Sequence, residues 1–137
     1  MKKYQIIYAD PPWSYDDKMG DRKDLGSATS AYKTQDLQWI KDLKVKELID
    51  NDCVLFLWAV SQLLPEALEV MKAWGFNYRT MVFVWSKYTK NGIEIANMGR
   101  WTLGNVECCL LGTKGHPKRI SSNIRQLVKA VRTEHSK

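Results

Sequence analysis

Eight consecutive apolar residues, CVLFLWAV at 53–60, constrain this chain more than any other stretch. A helix usually needs a longer run, and a membrane span needs roughly 18 such residues or more. A strand with one wet face would alternate with polar residues. This run does not alternate, so it predicts a strand covered on both faces, as in the middle of a layered α/β sheet. The next stretch, residues 61–74, is helical in period. Leu64, Leu68, Met71 and, one position off, Val70 supply an apolar face from a Ser61 cap to Trp74. Pro65 suits the first turn and Gly75 a stop.

The same alternation runs along the chain. Residues 4–9 read as a buried strand, and Thr34 can cap a short helix beginning QDLQWI. Residues 44–49, KVKELI, read as one or two helical turns. Residues 78–85 and 106–111 are further strands. Residues 120–132 leave two readings open. Ile124, Leu127, Val128 and Val131 have helical spacing, yet a short strand around 126–130 also fits. Two long polar segments, 10–33 and 86–104, separate these elements, and loops of that length inside compact domains tend to be functional. The pattern predicts an α/β domain with a mainly parallel sheet flanked by helices. In such sheets ligands bind outside the carboxyl ends of the strands. That rule sets residues 10–13, 58–61, 85–87 and the loop after Leu111 along one rim.

Composition narrows the function. The 137 residues suit one domain, and no apolar stretch approaches a membrane span. The apolar N-terminal run is too short for a signal peptide and meets Asp10 at once, so a cytoplasmic protein is expected. Cys53, Cys108 and Cys109 lie in apolar runs without a CxxC pair and read as reduced, buried thiols. With His116 and His135 they complete no zinc spacing, so no metal is expected. A net charge of +6 fits a polyanionic partner such as nucleic acid. Six tryptophans are many for this length, and several fall in polar loops.

The first predicted strand ends in Asp10-Pro11-Pro12-Trp13. Both prolines lack a backbone N–H, and Pro11 holds Asp10 extended. The turn therefore offers acceptors: the Asp10 carboxylate and the Pro11 carbonyl. Trp13 would add a flat stacking face. A planar base with an exocyclic amino group fits this set. Two N–H bonds would go to Asp10 and Pro11, which orients the nitrogen and raises its nucleophilicity. Such a base must leave its stack to enter. The plainer reading is a strand-ending turn whose aromatic plugs the core.

ADPPW at 9–13 resembles the catalytic motif of the nucleic-acid adenine-N6 methyltransferases, which use S-adenosylmethionine. The resemblance is to the permuted branch that includes the eukaryotic mRNA adenine methyltransferase catalytic subunit and its bacterial and phage relatives. It extends over CVLFLWAV at 53–60, MKAWGF at 71–76, VFVWSK at 82–87, GRWTLGNVECCLLGTKG at 99–115 and RTEHSK at 132–137. It implies a Rossmann-like methyltransferase core with the catalytic segment first and the cofactor segment last. It implies that Asp10, Pro11, Pro12 and Trp13 hold the target base and its amino group. Tyr32, Lys87, Trp101 and Glu107 would line the substrate side, and His135 and Lys137, with Asp10, the edge of the cofactor site. It also favours an extended segment at 124–131. Plainer readings stand beside these roles. Lys87 can be a solvated loop lysine, Trp101 can close the core, and Glu107 can pair with Arg100 or Lys87 within an apolar strand.

In the family, the His-Ser-x-Lys stretch is followed by a Pro-Asp-Glu helix and a strand that supply much of the S-adenosylmethionine pocket. This chain stops at Lys137. Residues 1–137 are therefore expected to form a single methyltransferase-like domain that is C-terminally incomplete. The expected function is methyl transfer from S-adenosylmethionine to adenine N6, with DNA preferred as substrate and RNA the alternative. The chain can be a truncated form, a short relative completed by a homo- or heterodimeric partner, or a non-catalytic nucleic-acid-binding subunit. An unrelated interaction module bearing the same tetrapeptide is a further class.

Overall fold

The computed structural model describes residues 2–14 and 36–133. Five strands form one sheet: β1 (Tyr4–Ala9), β2 (Ile49–Ala59), β3 (Asn77–Tyr88), β4 (Val106–Lys114) and β5 (Leu127–Val131). Their order is β1-β2-β4-β3-β5. β1 pairs parallel with β2 and β3 with β5, whereas β4 runs antiparallel to both β2 and β3. Four strands therefore point one way and β4 alone points back. The reason lies in the connections. Parallel strands need a crossover, usually a helix, and α2 (Leu64–Ala73) supplies one between β2 and β3. No helix lies between β3 and β4, so β4 returns as the second arm of a hairpin.

This reversal corrects one sequence expectation. The loop after β4 lies at the opposite rim from Asp10, because β4 begins where its neighbours end. Ala59 pairs with Cys108, and Ser86 with Val106. The start of β4, not its end, joins the carboxyl rim.

Helices α1 (Leu37–Lys41) and α2 cover one face of the sheet. Under them pack Cys53, Leu55, Leu57 and Ala59 of β2, Leu110 of β4, and Ala67, Val70 and Met71 of α2. Gly112 permits the close approach of helix to sheet, since a Cβ there would sit 2.8 Å from Met71 Sδ. α2 ends in a Schellman motif. Gly75 has φ 91°, Gly75 N–H donates to the Lys72 carbonyl, and Phe76 N–H donates to the Met71 carbonyl. Ser61 does not cap this helix. It opens a 3₁₀ turn, Ser61–Leu63, and the α-helix proper comes next with Pro65 in its first turn. At α1, Asp36 is the cap, its carboxylate accepting Trp39 N–H at 2.7 Å, and Thr34 lies outside the described residues. KVKELI contains a 3₁₀ turn, Val45–Glu47.

The opposite face carries Phe56, Trp58, Val82, Phe83, Trp85, Cys109 and Ala130. Among the described residues no helix covers it. For that reason β1, expected to be a buried strand, is half-exposed: Ile7 and Ala9 pack into the helix-covered core, while Tyr4, Ile6 and Tyr8 are exposed. The ambiguous segment resolves as a strand. β5 pairs with β3 from Val84↔Leu127 to Tyr88↔Val131, and ladder hydrogen bonds outweigh its helical spacing.

Candidate active site

The carboxyl rim gathers the ends of β1, β2, β3 and β5 with the start of β4. Asp10 stands exposed just beyond β1. Past it the chain turns tightly, Trp13 N–H donating to the Pro11 carbonyl at 2.9 Å. One Pro11 lone pair is thereby used, and a carbonyl oxygen has a second to offer. Pro11 is buried and Pro12 half-buried.

Trp13 departs from expectation. Its side chain is 7% exposed and belongs to the helix-covered core, and its Nε1 donates to the Trp58 carbonyl at 3.0 Å. An indole held this way presents no open stacking face; it plugs the core at the rim. The physical cause is the turn, which directs residue 13 back under the strand ends. More broadly, four of the six tryptophans (Trp13, Trp58, Trp74 and Trp85) are buried rather than in polar loops.

Trp58 joins the two faces. Its carbonyl holds Trp13, while its indole Nε1 donates to the Tyr8 hydroxyl at 2.6 Å and stands edge-on to Trp85, with ring centroids 6.3 Å apart. Trp85 in turn donates from Nε1 to the Ala130 carbonyl at 3.2 Å. Tyr8 and Trp58 were not among the residues the sequence nominated. The available signal was position: Tyr8 lies two residues before Asp10, and Trp58 opens the 58–61 stretch that the strand order already set on the same rim.

Beside Trp85, Lys87 Nζ lies 3.3 Å from Glu107 Oε2 and 5.9 Å from the Trp85 ring centroid. The two side chains are 14% and 18% exposed. The structure thus resolves Glu107's pairing in favour of Lys87 over Arg100, and Lys87 is no solvated loop lysine. Burial pushes the Cys108 thiol up, helped by the neighbouring Glu107 charge, and burial likewise raises Cys53. All three cysteines are buried.

Trp101 is 100% exposed, which removes the reading that it closes the core. The arm that carries it, residues 89–105, is hydrogen-bonded. Asn97 and Gly104 exchange both backbone bonds at 2.7 Å, Ile95 N–H reaches the Lys87 carbonyl, and Asn105 donates to Glu94. Ile93, Met98 and Leu103 are also exposed on it.

Tyr32, His135 and Lys137 lie outside the described residues. Of the three residues that the resemblance assigns to the methyl donor, Asp10 alone can be placed, and an exposed carboxylate at the rim fits a cationic donor by charge. No helix is long and apolar enough to cross a membrane, and no cluster of metal-ligating side chains occurs among the described residues.

A reversed strand within an otherwise co-directional sheet, with helices on one face and an Asp-Pro-Pro turn at the carboxyl rim, fits an incomplete Rossmann-like α/β core. The MT-A70 family model matches residues 4–137, and the chain belongs to that family. It is 36% identical over 151 aligned residues to the type II methyltransferase M.MunI of Mycoplasma sp, covering 98% of this chain and 62% of that protein. It is 26% identical to the N(6)-adenosine-methyltransferase catalytic subunit METTL3 of Homo sapiens and to an MT-A70-like protein of Drosophila melanogaster. Those matches cover 89% of this chain in each case, but only 19% and 18% of the relatives. The chain thus spans under two thirds of M.MunI and under a fifth of the other two.

Proposed function

We propose that residues 1–137 act as one methyltransferase-like domain for methyl transfer to the N6 amino group of adenine in nucleic acid. One observation supports the reading: in a member of the MT-A70 family, the Asp-Pro-Pro turn at the tip of β1 leaves Asp10 exposed at the carboxyl rim, next to a Pro11 carbonyl that accepts Trp13 N–H. The adenine amino group offers one N–H to each. Both bonds would orient the nitrogen and draw electron density onto it, and the Asp10 carboxylate would accept the proton that the amino nitrogen loses. S-adenosylmethionine, when bound, supplies the electrophilic methyl group.

The burial of Trp13 shifts the stacking task elsewhere. Trp101, fully exposed on its arm, is the indole we assign to it, and the exposed Tyr8 ring lies on the same rim. The Lys87–Glu107 pair stands where β3 ends and β4 begins. DNA is the preferred substrate, supported by 36% identity to a type II methyltransferase against 26% to the adenosine methyltransferases, and RNA is the alternative. The buried thiols, outside any disulfide among the described residues, support a cytoplasmic setting. A second subunit, identical or different, is the protein partner we assign to the donor side.

The test is 6-methyladenine formation on DNA and RNA oligonucleotides supplied with S-adenosylmethionine. Asp10→Ala is expected to cut the rate by about 10²-fold or more, the usual yield of a positioned acid–base group. Methylation retained by Asp10→Ala would sink the role given to Asp10. Nucleic-acid binding without methylation by the unaltered chain, alone and with a C-terminally extended version, would favour a binding subunit.

A further inference from the structure

Six of the chain's 21 Lys and Arg residues lie between 114 and 132, a stretch with no Asp or Glu: Lys114, Lys118, Arg119, Arg125, Lys129 and Arg132. That leaves 15 cations and 15 acidic residues for the rest, so this one segment accounts for the whole net charge of +6. Five of the six cations are exposed, Lys114 being half-buried, and none is in an ion pair among the described residues. Ile120 and Ile124 are also exposed there, at 105% and 70%.

The topology gives the segment a direction. It starts at the rim opposite Asp10, where Gly115 turns with φ 68° and His116 N–H donates to Asp52 Oδ1 at 2.8 Å. It rises along the β3 side of the sheet, and as β5 it becomes the edge strand. It finishes at the carboxyl rim, where Arg132 N–H donates to the Tyr88 carbonyl at 2.8 Å, next to Lys87. β4, which it retraces, has nine residues, or about 30 Å at roughly 3.3 Å per residue. That is close to one helical turn of a duplex, about 34 Å. A lysine that merely guards an exposed sheet edge would belong in β5. Here Lys118, Arg119 and Arg125 precede β5, where no strand edge needs guarding.

We propose that residues 114–132 form a track for the phosphate backbone of nucleic acid, leading to the rim that holds Asp10. The choice of partner rests on the adenine reading; the location of the track does not. Neutralising a phosphate releases counterions, so each contact adds about −0.9 to the slope of log affinity against log salt. Six contacts give a slope of roughly −5.

The experiment is fluorescence anisotropy of a labelled DNA duplex of about 20 base pairs, roughly two helical turns, titrated across salt. Lys118→Ser/Arg119→Ser/Arg125→Ser is expected to make the slope shallower by about 3. Lys2→Ser/Lys44→Ser/Lys72→Ser removes the same charge from exposed positions elsewhere and is expected to leave it unchanged. Urea midpoints of both variants confirm that they fold. Equal changes in the two variants, an unaltered slope in the first, or no binding by the parent chain would each overturn the track. Methyl transfer on the same duplex separates the two readings. A raised KM with unchanged kcat in the first variant supports the track. Unchanged KM overturns it while the adenine reading stands. The expected slopes with no methylation by the parent uphold the track and sink the adenine reading alone.

Discussion

Replacing Trp13 by phenylalanine separates the two jobs this residue could do. Phenylalanine keeps a flat ring but removes the Nε1–H that the Trp58 carbonyl accepts at 3.0 Å. Losing that hydrogen bond costs about 0.5–1.5 kcal/mol. The smaller ring adds about 1 kcal/mol, from roughly 40 Å² of lost apolar burial at about 25 cal/mol per Å². The structure therefore predicts a loss of about 1.5–2.5 kcal/mol. With a urea m-value of about 2 kcal/mol/M, the unfolding midpoint falls by roughly 1 M. Circular dichroism is the suitable probe, since tryptophan fluorescence would be changed by the substitution itself. A loss under about 0.5 kcal/mol, the range of an ordinary surface change, would refute the burial argument. If that small loss came with a rise of about tenfold or more in the KM for nucleic acid, Trp13 would be a stacking platform after all.

The Lys87–Glu107 pair is nearly enclosed, so Glu107→Gln should cost about 2 kcal/mol by leaving the ammonium poorly compensated, while Lys87→Met/Glu107→Leu recovers much of it. A double-mutant cycle of urea midpoints checks this, and additive single losses would show that the two charges do not couple. Trp101→Ala should leave stability within about 0.5 kcal/mol, given full exposure, yet weaken single-stranded nucleic-acid binding by about 1–3 kcal/mol in anisotropy. Gly115→Ala combines a positive φ of 68° with a Cβ that would overlap the Asn51 carbonyl oxygen and Asp52 Oδ1. A loss of about 2 kcal/mol or more in thermal or urea unfolding is expected, and a neutral result would contradict the turn geometry.

Much of the fold was legible because it is written locally. The CVLFLWAV run forms an interior strand of the sheet, although among the described residues helices cover one of its faces and not both as expected, Gly75 stops α2, and the parallel sense of β2 and β3 comes from the helix between them. The illegible parts depend on partners distant in sequence. Nothing in VECCLL says which way β4 runs. Its reversal comes from the missing crossover helix, and it sends the next loop to the wrong rim for the expected site. Residues 120–132 have an apolar period compatible with a helix, and only the free edge of β3 makes them a strand. Trp13 departs for a related reason. The donor-poor character of Asp-Pro-Pro is a property of the tetrapeptide itself, whereas the fate of the next side chain depends on the Trp58 carbonyl, 45 residues away.

The reversal of β4 also explains why the site has its second wall. Lys87 and Glu107 are 20 positions apart, and they meet because the arm folds back and starts β4 beside the end of β3, with Ser86 opposite Val106. Had a crossover helix made β4 parallel, Glu107 would stand at the far rim and Lys87 would need another counter-charge. The same return holds Trp101 out on the arm. The ion pair, the exposed aromatic and the antiparallel strand are therefore one structural fact seen at three positions. Shortening the arm to a tight hairpin should keep the Lys87–Glu107 pair and the sheet while removing only what Trp101 contributes to binding.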